Sequence, residues 1–209
     1  MADAVWTRPA APSSHELDRI ETHMTDQTLE QRISECGRAM AMAAVPIYTL
    51  NGSIHPPTLV AACGRMSGYY LLQSFGVVTT AMKPGETILS PQAAEKTPVL
   101  LRTCAAILAS LGHSLPPDPP QPFVDETNTP REDFLQSQGR LVPVFAPLLV
   151  KFGLDHYNAA RAAAVATAIT VHTVTKHIEL TRGFGAAAFA FTEGSRTVPA
   201  HDAGAENAV

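Results

Sequence analysis

The sequence predicts an all-α protein, a single-domain bundle of five or six helices with two small-residue-rich helices at its centre. Three observations predict it. Between Arg38 and Lys83 the only charged residue is Arg65, and His55 is the one other group there that titrates near neutral pH. A stretch that long without charge is buried. From Asp155 to Arg182, small side chains recur at spacings of three and four, the period of one helix face. Cap and proline signals for helix starts appear repeatedly along the chain.

Residues 1–13 are rich in Ala and Pro and are expected to be mobile. The helical domain is expected over 14–193, with a disordered tail from 194 to 209. Ser13-Ser14-His15-Glu16 has capping-box form and predicts a short helix to about His23. Thr28-Leu29-Glu30-Gln31 has the same form, with Thr25-Asp26 an equal candidate cap. The helix that follows is expected to reach about Ala44 and stop before Pro46. Asn51-Gly52 marks a turn.

Pro56-Pro57 starts the next helix, which should reach about Phe75. Leu59, Ala62, Cys63, Met66 and Tyr70 form one stripe on it. Ala61, Gly64, Gly68, Leu71 and Phe75 form another. A helix apolar on two sides is buried on two sides. Gly64 and Gly68 let a neighbouring helix come close, which offsets about 1 kcal/mol of lost helical propensity at each. Gly76 ends the helix. Val77-Val78-Thr79-Thr80 reads as extended, and Pro84-Gly85 as a turn. Ser90-Pro91 and Thr97-Pro98 both offer starts for a helix ending at Gly112, either beginning at Pro98 or kinked there.

Residues 113–130 hold six prolines, so they predict an extended surface connection. Thr129-Pro130-Arg131-Glu132 supplies a cap, a first-turn proline and a capping glutamate for a helix that meets Pro143 and Pro147. That helix either restarts after Gly139 or bends, and it ends at Gly153. Asp155 caps the longest predicted helix, to about Arg182. Tyr157, Ala160, Ala164, Ala168, Val171, Thr175 and Ile178 form its narrow stripe, suited to close packing at a bundle centre.

Apolar residues make up 45% and charged residues 16%. The charged share falls below the ordinary ~25%. Uncharged surface must then be covered, which predicts a helix-mediated homodimer. Net charge is −4 with pI near 6.0, and no Lys/Arg cluster occurs. This excludes a nucleic-acid footprint of the usual basic kind. Cys36, Cys63 and Cys104 are odd in number and widely spaced, with no CxxC or CxxH pair. They read as buried reduced thiols in a reducing compartment, hence a cytoplasmic protein. The N-terminus has no secretory signal pattern. Thr58–Met82 is long enough to span a bilayer, but its central Arg65 and lack of basic flanks argue for a core helix.

No motif names a reaction. His172 and His177 lie about 140° apart on a helix, so they cannot ligate one ion together. With no ExxH and no cysteine pair, neither a metal site nor a cofactor is expected. Arg65 is the stronger candidate, with Tyr69 one turn on; guanidinium donors match carboxylate or phosphate oxygens. Beside it stands an internal ion pair with Glu86 or Glu95. Asp155-His156 reads as a helix cap before it reads as an acid/base pair. The leading expectation is a non-catalytic, self-associating binding or scaffolding protein. The first alternative binds a small anionic or apolar ligand between the central helices, at Arg65, Tyr69, Met66, Tyr70 and His172. It requires Arg65 to be free of internal carboxylates. The second alternative is an enzyme using His156, His172 or His177, which requires those rings to converge.

Overall fold

Thr28 begins the first helix of the computed structural model, which describes residues 27–77, 79, 81–115 and 129–200. Its hydroxyl accepts from the Gln31 N–H, and the Gln31 side chain accepts from the Thr28 N–H, closing a capping box. Helix α1 (Leu29–Ile47) buries Ile33, Cys36, Met40 and Ala44 along one face. It runs one residue past Pro46, although expected to stop before it. Asn51 and Gly52, at φ 51° and 76°, then close a two-stranded hairpin, β1 (Thr49–Leu50) with β2 (Ser53–Ile54). Two successive positive φ angles fit the twist of a two-residue hairpin.

Helix α2 (Pro56–Gln73) is the centre of the molecule. Every residue from Pro57 to Leu72 is buried, including Arg65. It packs most extensively on the helices His156–Val174 and Leu180–Gly194. Helix α3 (Pro91–Ser110) is capped by Ser90 and passes through Pro98 rather than starting there. Its Ala93, Leu100, Cys104 and Leu108 face inward. Helix α4 (Phe134–Phe152) is continuous through Pro143 and Pro147 and stops at Gly153, which is left-handed at φ 57°. Its start differs from the expected one at Thr129. Asp133 is the cap, in a complete capping box with Gln136, while Arg131 donates its backbone N–H to Thr58 Oγ1 on α2.

The long helix expected over Asp155–Arg182 is two helices. Helix α5 (His156–Val174), capped by Asp155, ends at Thr175, and α6 (Leu180–Gly194) begins after Glu179. The break follows a β-branched run. Thr170, Thr173 and Thr175 turn their hydroxyls back onto carbonyls of the preceding turn, a competition that weakens helix ends. Helix α5 is buried almost all round, so its alanines form more than a narrow stripe.

Close approach is explicit at Gly37, Gly64 and Gly68, and at Gly194, where an added Cβ would overlap the Arg65 backbone. A Cβ at Gly37 would lie 2.6 Å from Ala162 O, and one at Gly64 2.7 Å from the Ala190 Cβ. A Cβ at Gly68 would overlap the Phe191 carbonyl and the Ser195 amide. The tail expected to be disordered from 194 is placed through residue 200. Thr197 bridges Thr87, and Val198, fully buried, exchanges hydrogen bonds with Gly85 and Glu86. Val77 and Thr79 are in no strand. The expected segment 1–13, the Ser13–His23 helix and most of the proline-rich connection lie outside the described residues. No described helix is long and apolar enough to cross a membrane.

Candidate functional site

Arg65 is held inside the protein. Its Nε is 2.7 Å from Glu193 Oε2 and its Nη2 3.2 Å from Glu193 Oε1, a two-toothed pair. Its Nη1 donates to Glu132 O at 2.6 Å and Ser137 Oγ at 3.2 Å. The expected internal carboxylate therefore exists, but it comes from α6 rather than from Glu86 or Glu95. Arg65 is 4% exposed and four of its five N–H donors are held by protein atoms, so it does not meet the condition the anion grip required, freedom from internal carboxylates. Met66 and Tyr70 are core side chains, and the Tyr69 ring packs on Tyr70 and Phe134.

The candidate histidines do not converge. His156 stacks on Tyr70 at the start of α5, with ring centroids 6.3 Å apart. His172 lies sixteen residues on, ~24 Å along the helix, beside His113. His177 sits in the turn after α5, exposed. A catalytic cluster of these three is not what the chain builds.

The cleft forms elsewhere. The hairpin leans over the first turn of α2 and the approach to α4, leaving a space of about 370 Å³. That is within the range of small-ligand pockets. Ile47, Leu50 and Ile54 give it an apolar side. Tyr48, His55, Thr58, Arg131, Glu132 and Arg140 give it a polar one. None of the five residues expected to bind a ligand lines it.

Each polar residue is positioned by a local cause. Pro56 and Pro57 fix the first turn of α2 without offering N–H groups. His55, just before them, sets its Nδ1 2.7 Å from Thr58 Oγ1. The same hydroxyl oxygen accepts the Arg131 N–H at 2.9 Å, which ties α2 to the segment leading into α4. Burial, and then the nearby Arg131 guanidinium, lower the His55 pKa, so the ring is neutral at pH 7. Glu132 pairs with Arg140, whose Nε is 3.1 Å from Oε1. The Arg140 guanidinium also lies over the Tyr48 ring, 5.9 Å from its centroid. Arg131 is exposed, and among the described residues no carboxylate pairs with it.

Two residues of the cleft carry buried polar atoms with no well-aligned hydrogen bond among the described residues, Tyr48 Oη and Glu132 Oε2. Burial first, and the Glu132 carboxylate second, push the Tyr48 hydroxyl well up, so it stays protonated. The hydroxyl and the carboxylate face each other, so the protonated Tyr48 hydroxyl is a donor toward Glu132.

Thr58 is 5% exposed, and its hydroxyl is already shared by two partners. Among the described residues the one side-chain partner of His55 is Thr58, with no third group orienting the ring. Among the described residues no set of three or more His, Cys, Asp or Glu gathers as a metal centre. Sequence reasoning misses this cleft because its residues come from three separated segments. The one local signal is Asn51-Gly52 between Thr49-Leu50 and Ser53-Ile54, which is a hairpin signature. No protein-family model matches the chain, and no match exists among the curated proteins or the solved structures.

Proposed function

We propose that the chain is a non-catalytic helical binding protein whose ligand site is the hairpin cleft. The ligand is a small anion with an apolar portion. The observation that carries this reading is the Arg131 guanidinium, with no carboxylate partner among the described residues, at a cleft with one apolar wall. A carboxylate or phosphate group would take two guanidinium donors there. Ile47, Leu50 and Ile54 would cover the apolar portion. Three buried thiols, two of them pushed up to about 12 by burial, suit a reducing, cytoplasmic setting.

Calorimetric titration with inorganic phosphate and with straight-chain carboxylates from acetate to octanoate tests this. Affinity should rise with chain length. Arg131→Gln should weaken it by about 10- to 100-fold, the worth of one charged hydrogen-bonding group. Equal binding by wild type and Arg131→Gln, or none by any carboxylate or phosphate, contradicts the proposal. Self-association is a separate reading, favoured by the exposed Met42, Leu50, Leu89 and Val150; its readout is mass in solution.

A further inference from the structure

His113 and His172 are 59 residues apart, yet their rings meet. His113 follows Gly112, whose left-handed backbone (φ 86°) ends the α3 segment. Its N–H bonds back to Leu108 O at 3.0 Å, which fixes the main chain there. His172 lies in the last turn of α5, and its carbonyl is held by both the N–H and the hydroxyl of Thr175. Helices α3 and α5 pack against each other, so both rings project from a rigid base. Nε2 of His113 is 2.7 Å from Nδ1 of His172, with ring centroids 5.0 Å apart and planes inclined by 63°.

Two neutral imidazoles at this distance share one proton, one nitrogen donating and the other accepting. With the other tautomer at the donor ring, both nitrogens present lone pairs to the same point. Two imidazole nitrogens on one ion, at ~2.0–2.1 Å each, stand about 2.9 Å apart at adjacent equatorial positions of Cu²⁺ and about 3.4 Å apart at the tetrahedral angle of Zn²⁺. The rings need to tilt until the nitrogens part by about 0.2 Å for Cu²⁺ or about 0.7 Å for Zn²⁺, a movement open to side chains at the surface.

We propose that His113 and His172 form a two-histidine site for a divalent first-row transition ion. Imidazole pairs favour Cu²⁺, with Ni²⁺ and Zn²⁺ weaker. The offset that keeps His172 and His177 from chelating does not apply, because the second ring comes from a different segment. Among the described residues no third His, Cys, Asp or Glu completes the set, so water or an outside donor fills the remaining positions. The site pins the end of α3 to the end of α5, and binding therefore stabilises the folded chain.

The full chain, freed of metal by chelation, is titrated with copper sulfate and with zinc chloride by calorimetry and thermal melting. Wild type should bind one Cu²⁺ more tightly than any other and melt higher with metal. His113→Gln and His172→Gln should each weaken that binding at least tenfold and abolish the metal-dependent rise, while His177→Gln keeps both. Both variants should melt as wild type does in the chelator, which separates ligation from folding. The copper-loaded protein should show two-nitrogen hyperfine structure in its paramagnetic resonance spectrum. Unchanged affinity in the His113/His172 double variant, or a spectrum without two equatorial nitrogens, overturns the proposal.

Discussion

Arg65 makes four hydrogen bonds to protein atoms, two to the Glu193 carboxylate, one to a carbonyl and one to a serine hydroxyl. Burial of a cation demands such saturation, since an unpaired buried charge costs on the order of several kcal/mol. His55 shows the opposite response to burial. It gives up its charge, and its pKa falls below the ordinary value of about 6.5. The sign follows directly: the unfolded chain takes the proton first as pH drops through about 6.5, so stability declines from there until the folded ring protonates too. An anion bound beside Arg131 cancels one of the two causes and moves the value up. Titration of the His55 ring protons by NMR should give a midpoint below about 6.5 that rises with bound carboxylate. A midpoint at or above about 6.5 in the free protein contradicts the assigned environment.

At the scale of elements, contact between helices depends on what is missing from them. Gly68 sits where α2 meets the end of α6, and an added methyl would run into backbone, which cannot step aside. Gly68→Ala should cost about 3 kcal/mol, the upper part of the overpacking range. Gly139, within α4, has open space where a methyl would stand, with nothing within 4 Å. Gly139→Ala should therefore gain up to about 1 kcal/mol from helical propensity. Urea unfolding midpoints check both, and equal effects at the two sites would refute the close-packing account. The same contrast explains how far these elements can be read from sequence. Caps at Thr28, Ser90 and Asp155 and the stop at Gly153 are local chemistry, and they are legible. The break at Thr175 and the true cap at Asp133 are not, because a β-branched run and a second capping box compete with equally plausible local signals. Helix α6 escapes a reading centred on the long Asp155–Arg182 period, although Phe184, Ala187, Ala188 and Phe191 keep helical spacing. The cleft needs three segments brought together, which no local pattern encodes.

Over the whole molecule, two uncharged segments find each other. Arg65 is the single charge between Arg38 and Lys83, and Glu193 the single charge between Arg182 and Arg196. Their pairing ties α6 to α2, which packs about as extensively on α6 as on α5. It also links outward: Arg65 holds the Glu132 carbonyl, and the Glu132 side chain reaches Arg140 at the cleft. Matching lone opposite charges in two depleted stretches is the signal that names Glu193 as the partner. The direct test is a double-mutant cycle on Arg65→Met and Glu193→Gln, read by urea unfolding of each single variant and of the pair. Each single change should cost about 3 kcal/mol, the low end for a buried pair because Glu193 is 24% exposed. The coupling between them should be about 2 kcal/mol. Additive losses, with coupling under about 0.5 kcal/mol, would mean that α6 is not held on α2 by this pair.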